Sequence, residues 1–313
     1  MSRSGRIRRV FARGLRALIW VTGVGAFWLL AVWPPPIWWR SHWPAETAFM
    51  YMRRTTDRRT AGPPDRQYRP VPIDSIAPAM LKAATTGEDD RFWDHHGIDF
   101  VALRQALGYQ RDSFTWRSPA DRRELFRALP SVWTRRDALR GASTITQQLA
   151  KNLYLSPSRN PLRKVKEALT AYRLEWALPK RRILELYLNV AELGNEIWGV
   201  EAASRKYFNR PAFRLTAEQA AALAGSLPFP LSSNPGHRPG RMRWRQQLIL
   251  RRMRGEQVEV PSVETEDIPP PVTDSIIPVT ESIQAPPISV ENSFPETPAE
   301  SIPAPVPPDS TRP

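Results

Sequence analysis

The chain has 313 residues, no cysteine, and 45 Lys+Arg against 31 Asp+Glu. That length holds one large or two ordinary domains, and the lack of cysteine excludes a disulfide framework and any thiolate metal site. The charge is divided: residues 1–256 carry 44 basic and 21 acidic side chains, and residues 257–313 carry one and ten. A basic body of this kind suits nucleic acid, anionic lipid headgroups or phosphorylated substrates alike.

Arg3, Arg6, Arg8, Arg9, Arg13 and Arg16 precede an uncharged run from Ala17 to Trp39. The run is long enough to span a bilayer, with Trp33, Trp38 and Trp39 at its far end as an interfacial belt. Basic residues before the span and aromatics after it place residues 1–16 in the cytoplasm and the body outside, held by an anchor over 17–39. A cleaved signal peptide would have a shorter apolar core and a small-x-small cleavage site, which is missing before Pro34-Pro35-Pro36. Export also removes nucleic acid from the expected partners.

Residues 40–72 read as a stalk, with Pro63-Pro64 and several arginines. From 73 to 254 the pattern is mainly helical, with candidates at 76–86, 99–110, 143–154, 162–178, 181–193, 198–207, 216–226 and 240–254. Thr216 with Gln219 forms a capping box, and convincing period-two strands are scarce. The tail over 255–313 is Pro-rich and acidic and repeats a short unit at Asp274-Ser275-Ile276, Glu281-Ser282-Ile283 and Glu300-Ser301-Ile302. It reads as disordered.

Three segments of the body carry chemistry. The first runs from Glu88 to Asp99 and interleaves acids with Phe92, Trp93 and Gly97. A carboxylate against aromatic walls is partly desolvated, which raises its pKa and makes it a usable general base. His95 and His96 are adjacent, so they point apart, and no third ligand is spaced to make a metal site with them. The second segment, Gly141 to Asn152, reads as a helix capped by Ser143. Ile145, Leu149 and Leu153 fall on one side, and Thr144, Gln147, Gln148 and Lys151 on the other. Amides, hydroxyls and one cation suit a groove for a polar, anionic ligand, although periodicity alone favours an ordinary amphipathic helix. In the third segment Arg159, Arg163 and Lys164 precede Glu167. With Lys151 they read as a four-cation clamp for a diphosphate, since arginine forks match phosphate oxygens.

A glycoside hydrolase must protonate a poor leaving group with a carboxylic acid. A transferase that uses a sugar diphosphate needs a base for the acceptor hydroxyl and positive charge on the departing phosphates. One glutamate in an aromatic setting plus a cation clamp matches the second case.

These segments resemble the motifs of the peptidoglycan glycosyltransferases, glycosyltransferase family 51. The short chain is similar to their monofunctional biosynthetic members. Glu88-Asp89 with Phe92, His95, Gly97 and Asp99 is similar to the first motif. Gly141 to Asn152 resembles the second, and Arg163 to Glu167 the third. Ile183 to Asn189, continuing through Tyr207-Phe208, resembles the fourth, and Leu215 to Pro230 the last. The resemblance covers residues 71 to 254.

It implies a lysozyme-like, mainly α domain that polymerises lipid II into β-1,4-linked glycan strands and releases undecaprenyl diphosphate with inversion at the donor carbon. By motif, Glu88 is the general base and Glu167 the second essential carboxylate. Lys151, Arg159, Arg163 and Lys164 hold the phosphates, Ser143, Gln147 and Gln148 line the groove, and Asp89, Phe92 and His95 support Glu88. No cofactor is required; magnesium or another divalent cation assists some such enzymes and is neither demanded nor excluded. Partners are lipid II, the nascent glycan strand and membrane lipids, with room for cell-wall synthesis or division proteins. The expected address is the bacterial inner membrane, with the catalytic domain periplasmic.

The stretch between Asp99 and Arg140 is some twenty residues longer than the family pattern. Its insert, about 111–138, carries Arg111, Trp116, Arg117, Arg122, Arg123, Arg127, Trp133, Arg135 and Arg136 and is expected on the membrane surface. A tolerated surface loop is the plainer reading. Two rivals remain open: a glycan-cleaving lytic transglycosylase or lysozyme, and a catalytically idle envelope scaffold. The polymerase reading requires Glu88 and Glu167 to converge on the helix at 141–152.

Overall fold

The computed structural model describes residues 3–57, 66–109, 111, 114–128, 130, 142–155 and 161–258. Contacts divide the chain into residues 1–272 and 273–313. The second unit and the expectation of a disordered tail lie outside the described residues.

Eleven α-helices occur among the described residues: α1 (Arg3–Leu30), α2 (Ala48–Asp57), α3 (Pro78–Glu88), α4 (Phe100–Leu107), α5 (Pro119–Ala128), α6 (Ile145–Tyr154), α7 (Pro161–Ala177), α8 (Lys180–Val190), α9 (Val200–Phe208), α10 (Ala217–Ser226) and α11 (Gly240–Met253). The protein is thus mainly α, as its periodicity predicts. Local signals set several ends. Pro78 occupies the first turn of α3, where a missing N–H costs nothing. Asp99 caps α4 by accepting from Val101 N and Ala102 N. Thr216 and Gln219 form the reciprocal box that starts α10.

Ile145, Leu149 and Leu153 of α6 are all buried, on the side that the four-residue spacing assigns to them. They join Met80, Ala83 and Ala84 of α3, Leu174 of α7, Leu184 and Leu188 of α8, Leu223 of α10 and Ile249 of α11 in one core. Gly87 lets α3 and α11 approach closely. A Cβ there would stand 2.9 Å from Ile249 Cδ1, so a larger residue would force the end of the Ile249 side chain to shift.

The segment expected as a stalk does not stand off from the body. Met50 of α2 and Thr47 are buried, and Gln67–Tyr68 forms strand β1. With β2 (Glu192–Gly194) and β3 (Ile197–Trp198) it builds a three-stranded sheet in the order β1-β3-β2, β1 parallel and β2 antiparallel to β3. Asn189 fastens the lead-in by accepting from Val71 N at 2.8 Å and donating to Val71 O at 2.9 Å.

In α1 the stretch long and apolar enough to cross a membrane is Ala12–Leu30, and none of it is buried by protein. The helix ends at Leu30, before the end of the run over 17–39 expected as the anchor. Trp33 and Trp38 are exposed, but Trp39 belongs to the core and donates its indole N–H to Tyr154 Oη at 2.6 Å. A buried indole needs such an acceptor, which takes Trp39 out of the expected belt.

Candidate active site

The site is assembled around α6. Thr144, not Ser143, caps this helix: its hydroxyl accepts from Gln147 N, and the Gln147 amide oxygen accepts from Thr144 N, both at 3.1 Å. Gln147 is consequently buried in a capping box instead of lining a groove. The Thr144 hydroxyl also donates to Gly97 O at 2.7 Å. Asp89 Oδ2 accepts from Ile145 N at 2.9 Å and Asp89 Oδ1 is bonded to His95 Nε2 at 2.9 Å. A carboxylate at the first turn of a helix satisfies an orphan N–H and complements the dipole. Asp89, His95 and Gly97 thereby lock the Glu88–Asp99 loop onto the start of α6, while Phe92 anchors it in the core.

Glu88, the last residue of α3, is 9 % exposed at its side chain. Its Oε2 accepts from Gln148 Nε2 and its Oε1 from Arg245 Nη2, both at 2.9 Å. Arg245 donates also to Gly87 O. Tyr187 Oη donates to Gln148 Oε1 at 3.0 Å, which fixes the amide so that its NH₂ faces Glu88. Burial and the neighbouring Glu88 charge push the Tyr187 phenol well above its usual range, so it remains a donor. Among the described residues the hydrogen-bonding partners of Glu88 are not the aromatic residues expected to wall it. Phe92 faces the core and Trp93 is exposed, and the immediate partners of Glu88 are a guanidinium and an amide.

Glu167 is almost fully buried. Arg163 Nη1 donates to its Oε2 at 2.8 Å and Lys164 Nζ to its Oε1 at 2.5 Å. Lys164 also donates to Ser143 Oγ at 2.7 Å. Two of the four expected clamp cations are thus engaged by this carboxylate, and Arg159 lies outside the described residues. Lys151 differs from them. Among the described residues no hydrogen bond or ion pair closes on its ammonium, whose nearest aromatic contact is the Phe49 ring at 5.8 Å. Its pKa is lowered, first by burial, then by the Lys164 and Arg163 charges, against the opposing pull of Glu167 and Glu88. One ammonium therefore senses both carboxylates and both helix cations, and the two acidic segments do flank α6.

Among the described residues no group of three or more His, Asp or Glu side chains is arranged to hold a metal ion. Asp121 pairs with Arg111 at 2.5 Å in the insert. There a cavity of roughly 370 Å³ is lined by Arg111, Ala120, Arg123, Glu124 and Arg127, none of them a site residue.

Arg245 is the residue that sequence reasoning missed, although a signal for it exists. Met242, Arg245 and Ile249 are spaced three and four apart, and all three are buried. An arginine on the apolar stripe of a helix requires a buried anion.

Comparison with known proteins shows the family. The profile of the transglycosylase family matches residues 56–117 and 111–254. The chain belongs to the transglycosylase family. Proteins called biosynthetic peptidoglycan transglycosylase are similar to it across most of their length. The one from Bordetella pertussis is 37 % identical over 253 residues, which is 81 % of this chain and 95 % of the relative. That from Chromobacterium violaceum is 38 % identical over 242 residues, 76 % and 95 % respectively. That from Marinomonas sp. is 43 % identical over 183 residues, 58 % and 71 %. In this transglycosylase Glu88, Gln148, Lys151, Arg163, Lys164 and Glu167 are brought together, while Gln147 serves the backbone.

Proposed function

We propose that this transglycosylase polymerises lipid II into β-1,4-linked glycan strands and releases undecaprenyl diphosphate. The observation that carries the reading is Lys151, a half-buried ammonium with no hydrogen bond or ion pair among the described residues, near two carboxylates that already have theirs. A buried cation needs a counter-ion. Those carboxylates are satisfied from within the fold, so the counter-ion this site suits is a phosphate.

The acceptor's 4-hydroxyl attacks C1 of the donor muramyl unit from the face opposite the diphosphate. Glu88 takes the hydroxyl proton, the new C–O bond forms, and the bond to the diphosphate breaks with its electrons on the departing phosphate oxygen. Each Glu88 oxygen accepts one hydrogen bond from the protein and retains a lone pair for that hydroxyl. Lys151 stabilises the charge that develops on the leaving group, with Arg163 and Lys164 beside it, and Arg159 is expected by motif to share that task. Glu167 holds Arg163 and Lys164 in place, and Gln148 orients Glu88. These roles need no metal ion, and a divalent cation would act on the same diphosphate.

The relatives' name, biosynthetic peptidoglycan transglycosylase, supports synthesis over cleavage. The address proposed with this reaction is the inner membrane, with the apolar part of α1 spanning it, the arginine-rich N-terminus cytoplasmic and the body periplasmic.

Incubating the full-length protein in liposomes with labelled lipid II tests the proposal. Polymer should accumulate, Lys151→Ala should reduce it severely, and Glu88→Gln should abolish it. Undiminished polymer from Glu88→Gln would refute the mechanism, and release of soluble fragments from finished sacculi would favour a cleaving enzyme.

A further inference from the structure

Most of helix α2 lies before residue 56, where the family profile begins to match, yet α2 packs against the site helix α6. Thr47 starts α2 by accepting from Met50 N at 3.1 Å, and buried Met50 roots it in the core. Arg53 ties it to β2 through two contacts with Glu192, Nη2 to Oε2 and Nε to Oε1, both at 3.0 Å. Phe49, in the first turn, is thereby fixed against the core. Its ring meets Trp198 edge-on with centroids 5.9 Å apart, and Lys151 Nζ stands 5.8 Å from its centroid.

Lys151 is half-buried, attracted by the charges of Glu167 and Glu88 and repelled by those of Lys164 and Arg163. An ammonium drawn out of water needs a partner, and possible partners differ in what they leave available. A carboxylate in contact would neutralise it and occupy its N–H donors. The face of an aromatic ring attracts a cation within about 6 Å through its quadrupole and neutralises nothing. Phe49 therefore holds the ammonium without competing with an arriving phosphate. Arg53 also approaches the ring, its guanidinium carbon 5.4 Å from the centroid, but Glu192 fixes its place. Among the described residues Lys151 has no such anchor.

We propose that Phe49 is a positioning residue for the reaction, its ring holding the Lys151 ammonium at the diphosphate site with its N–H donors free. The contact between ring and ammonium rests on α2 and α6 alone. Its bearing on catalysis rests on the proposed reaction, in which Lys151 meets the charge that develops on the leaving group. Phe49 touches neither substrate nor reacting atoms and acts only through Lys151.

Two measurements on the full-length protein test the contact and its role separately. The first is a double-mutant cycle in detergent micelles: Phe49→Leu and Lys151→Met are made singly and together, and urea unfolding is followed by tryptophan fluorescence. Leucine keeps apolar bulk and removes the ring face. The double variant should be destabilised less than the two single losses combined, by several-fold in the unfolding equilibrium constant. Additive losses would overturn the contact, and no substrate enters this readout. The second replaces Phe49 with 4-fluoro-, 3,5-difluoro- and 3,4,5-trifluorophenylalanine, which keep the ring's shape while draining negative charge from its face. With labelled lipid II in liposomes, kcat should fall stepwise along the series, several-fold in all, with KM little changed. A ring that only fills space would give equal rates, and that result would overturn the positioning role. So would a gradient that vanishes in an Arg53→Met background, which would assign it to Arg53. No polymer from the unmodified protein would refute the reaction and the role together, and the cycle would still decide the contact.

Discussion

Glu167 is buried and Glu88 nearly so, with two donors each, but the donors come from opposite kinds of place. Arg163 and Lys164 stand four and three residues before Glu167 on the same helix. Gln148 and Arg245 are 60 and 157 residues from Glu88. The first arrangement forms wherever α7 is helical, since residues at those spacings are neighbours on its surface. The second exists only after α3, α6 and α11 have packed together, with Gly87 allowing a close approach of α3 to α11. One carboxylate is organised locally, and the other registers whether the whole domain has closed.

The comparison is tested most strongly at Glu88. Replacing it with Gln preserves an acceptor for Arg245 but removes the base, so polymerisation should fall by about 10²–10⁴-fold with an unchanged circular dichroism spectrum. Next in size is the contrast between the two arginines. Arg245 is 4 % exposed, and Arg245→Met leaves a buried carboxylate without its cation, which should cost about 3–5 kcal/mol of stability. Arg163→Met leaves Lys164 on Glu167 and should cost about 1.5 kcal/mol. Equal losses in thermal unfolding would break the distinction between local and long-range support.

The same distinction sorts what was legible in the sequence. The eight helices expected between 73 and 254 were readable to within a few residues because periodicity and caps are local, whereas α2 and α5 were not among them. The convergence of Glu88 and Glu167 on α6 was readable from the order of the motifs. The cap of α6 was misassigned between adjacent hydroxyls, although Thr144 alone has Gln three residues on, which completes the box. Trp39 looked interfacial by its place after an apolar run, and only packing against Tyr154 shows it to be core. Met50 and β1 were missed because they acquire partners only from β3 and the core, far along the chain. Arg245 was missed for the same reason, since its ion pair is a contact between the two ends of the domain. Gln147 was assigned to the groove because helix-face counting ignores the first turn, where side chains serve unpaired backbone groups.

Lys151 feels the charge of both carboxylates and gives a pH-dependent test. Its folded-state pKa is lowered by burial, so the folded protein releases this proton at lower pH than the unfolded chain. The cost of burying the charged form is present below the folded pKa. It disappears as the pH rises from that value to the ordinary lysine range, so stability rises across that window. Activity should move the other way, because the neutral amine cannot hold a phosphate. The alkaline limb of kcat/KM should fall below the usual lysine range, and Lys151→Arg, whose guanidinium stays protonated, should move it upward. An alkaline limb unmoved by that substitution would exclude Lys151 as its source.

The smallest expected effect examines the long-range side of the comparison at its most indirect member. Tyr187 does not touch Glu88; its hydroxyl fixes the Gln148 amide, whose NH₂ then faces the carboxylate. Phenylalanine keeps the buried ring and deletes only that donor, so the packing of α8 on α6 should survive. The Gln148 amide then loses the bond that sets its orientation, and a flipped amide would present oxygen to oxygen at Glu88. The expected loss is about 0.5–1.5 kcal/mol, read as a several-fold fall in kcat with little change in KM, since Glu88 would be misaligned while Lys151 and the phosphate site stay intact. A fall in KM-dependent binding instead would move Tyr187 and Gln148 out of the support of Glu88 and into the substrate groove. Glu88 would then depend on Arg245 alone for its long-range support.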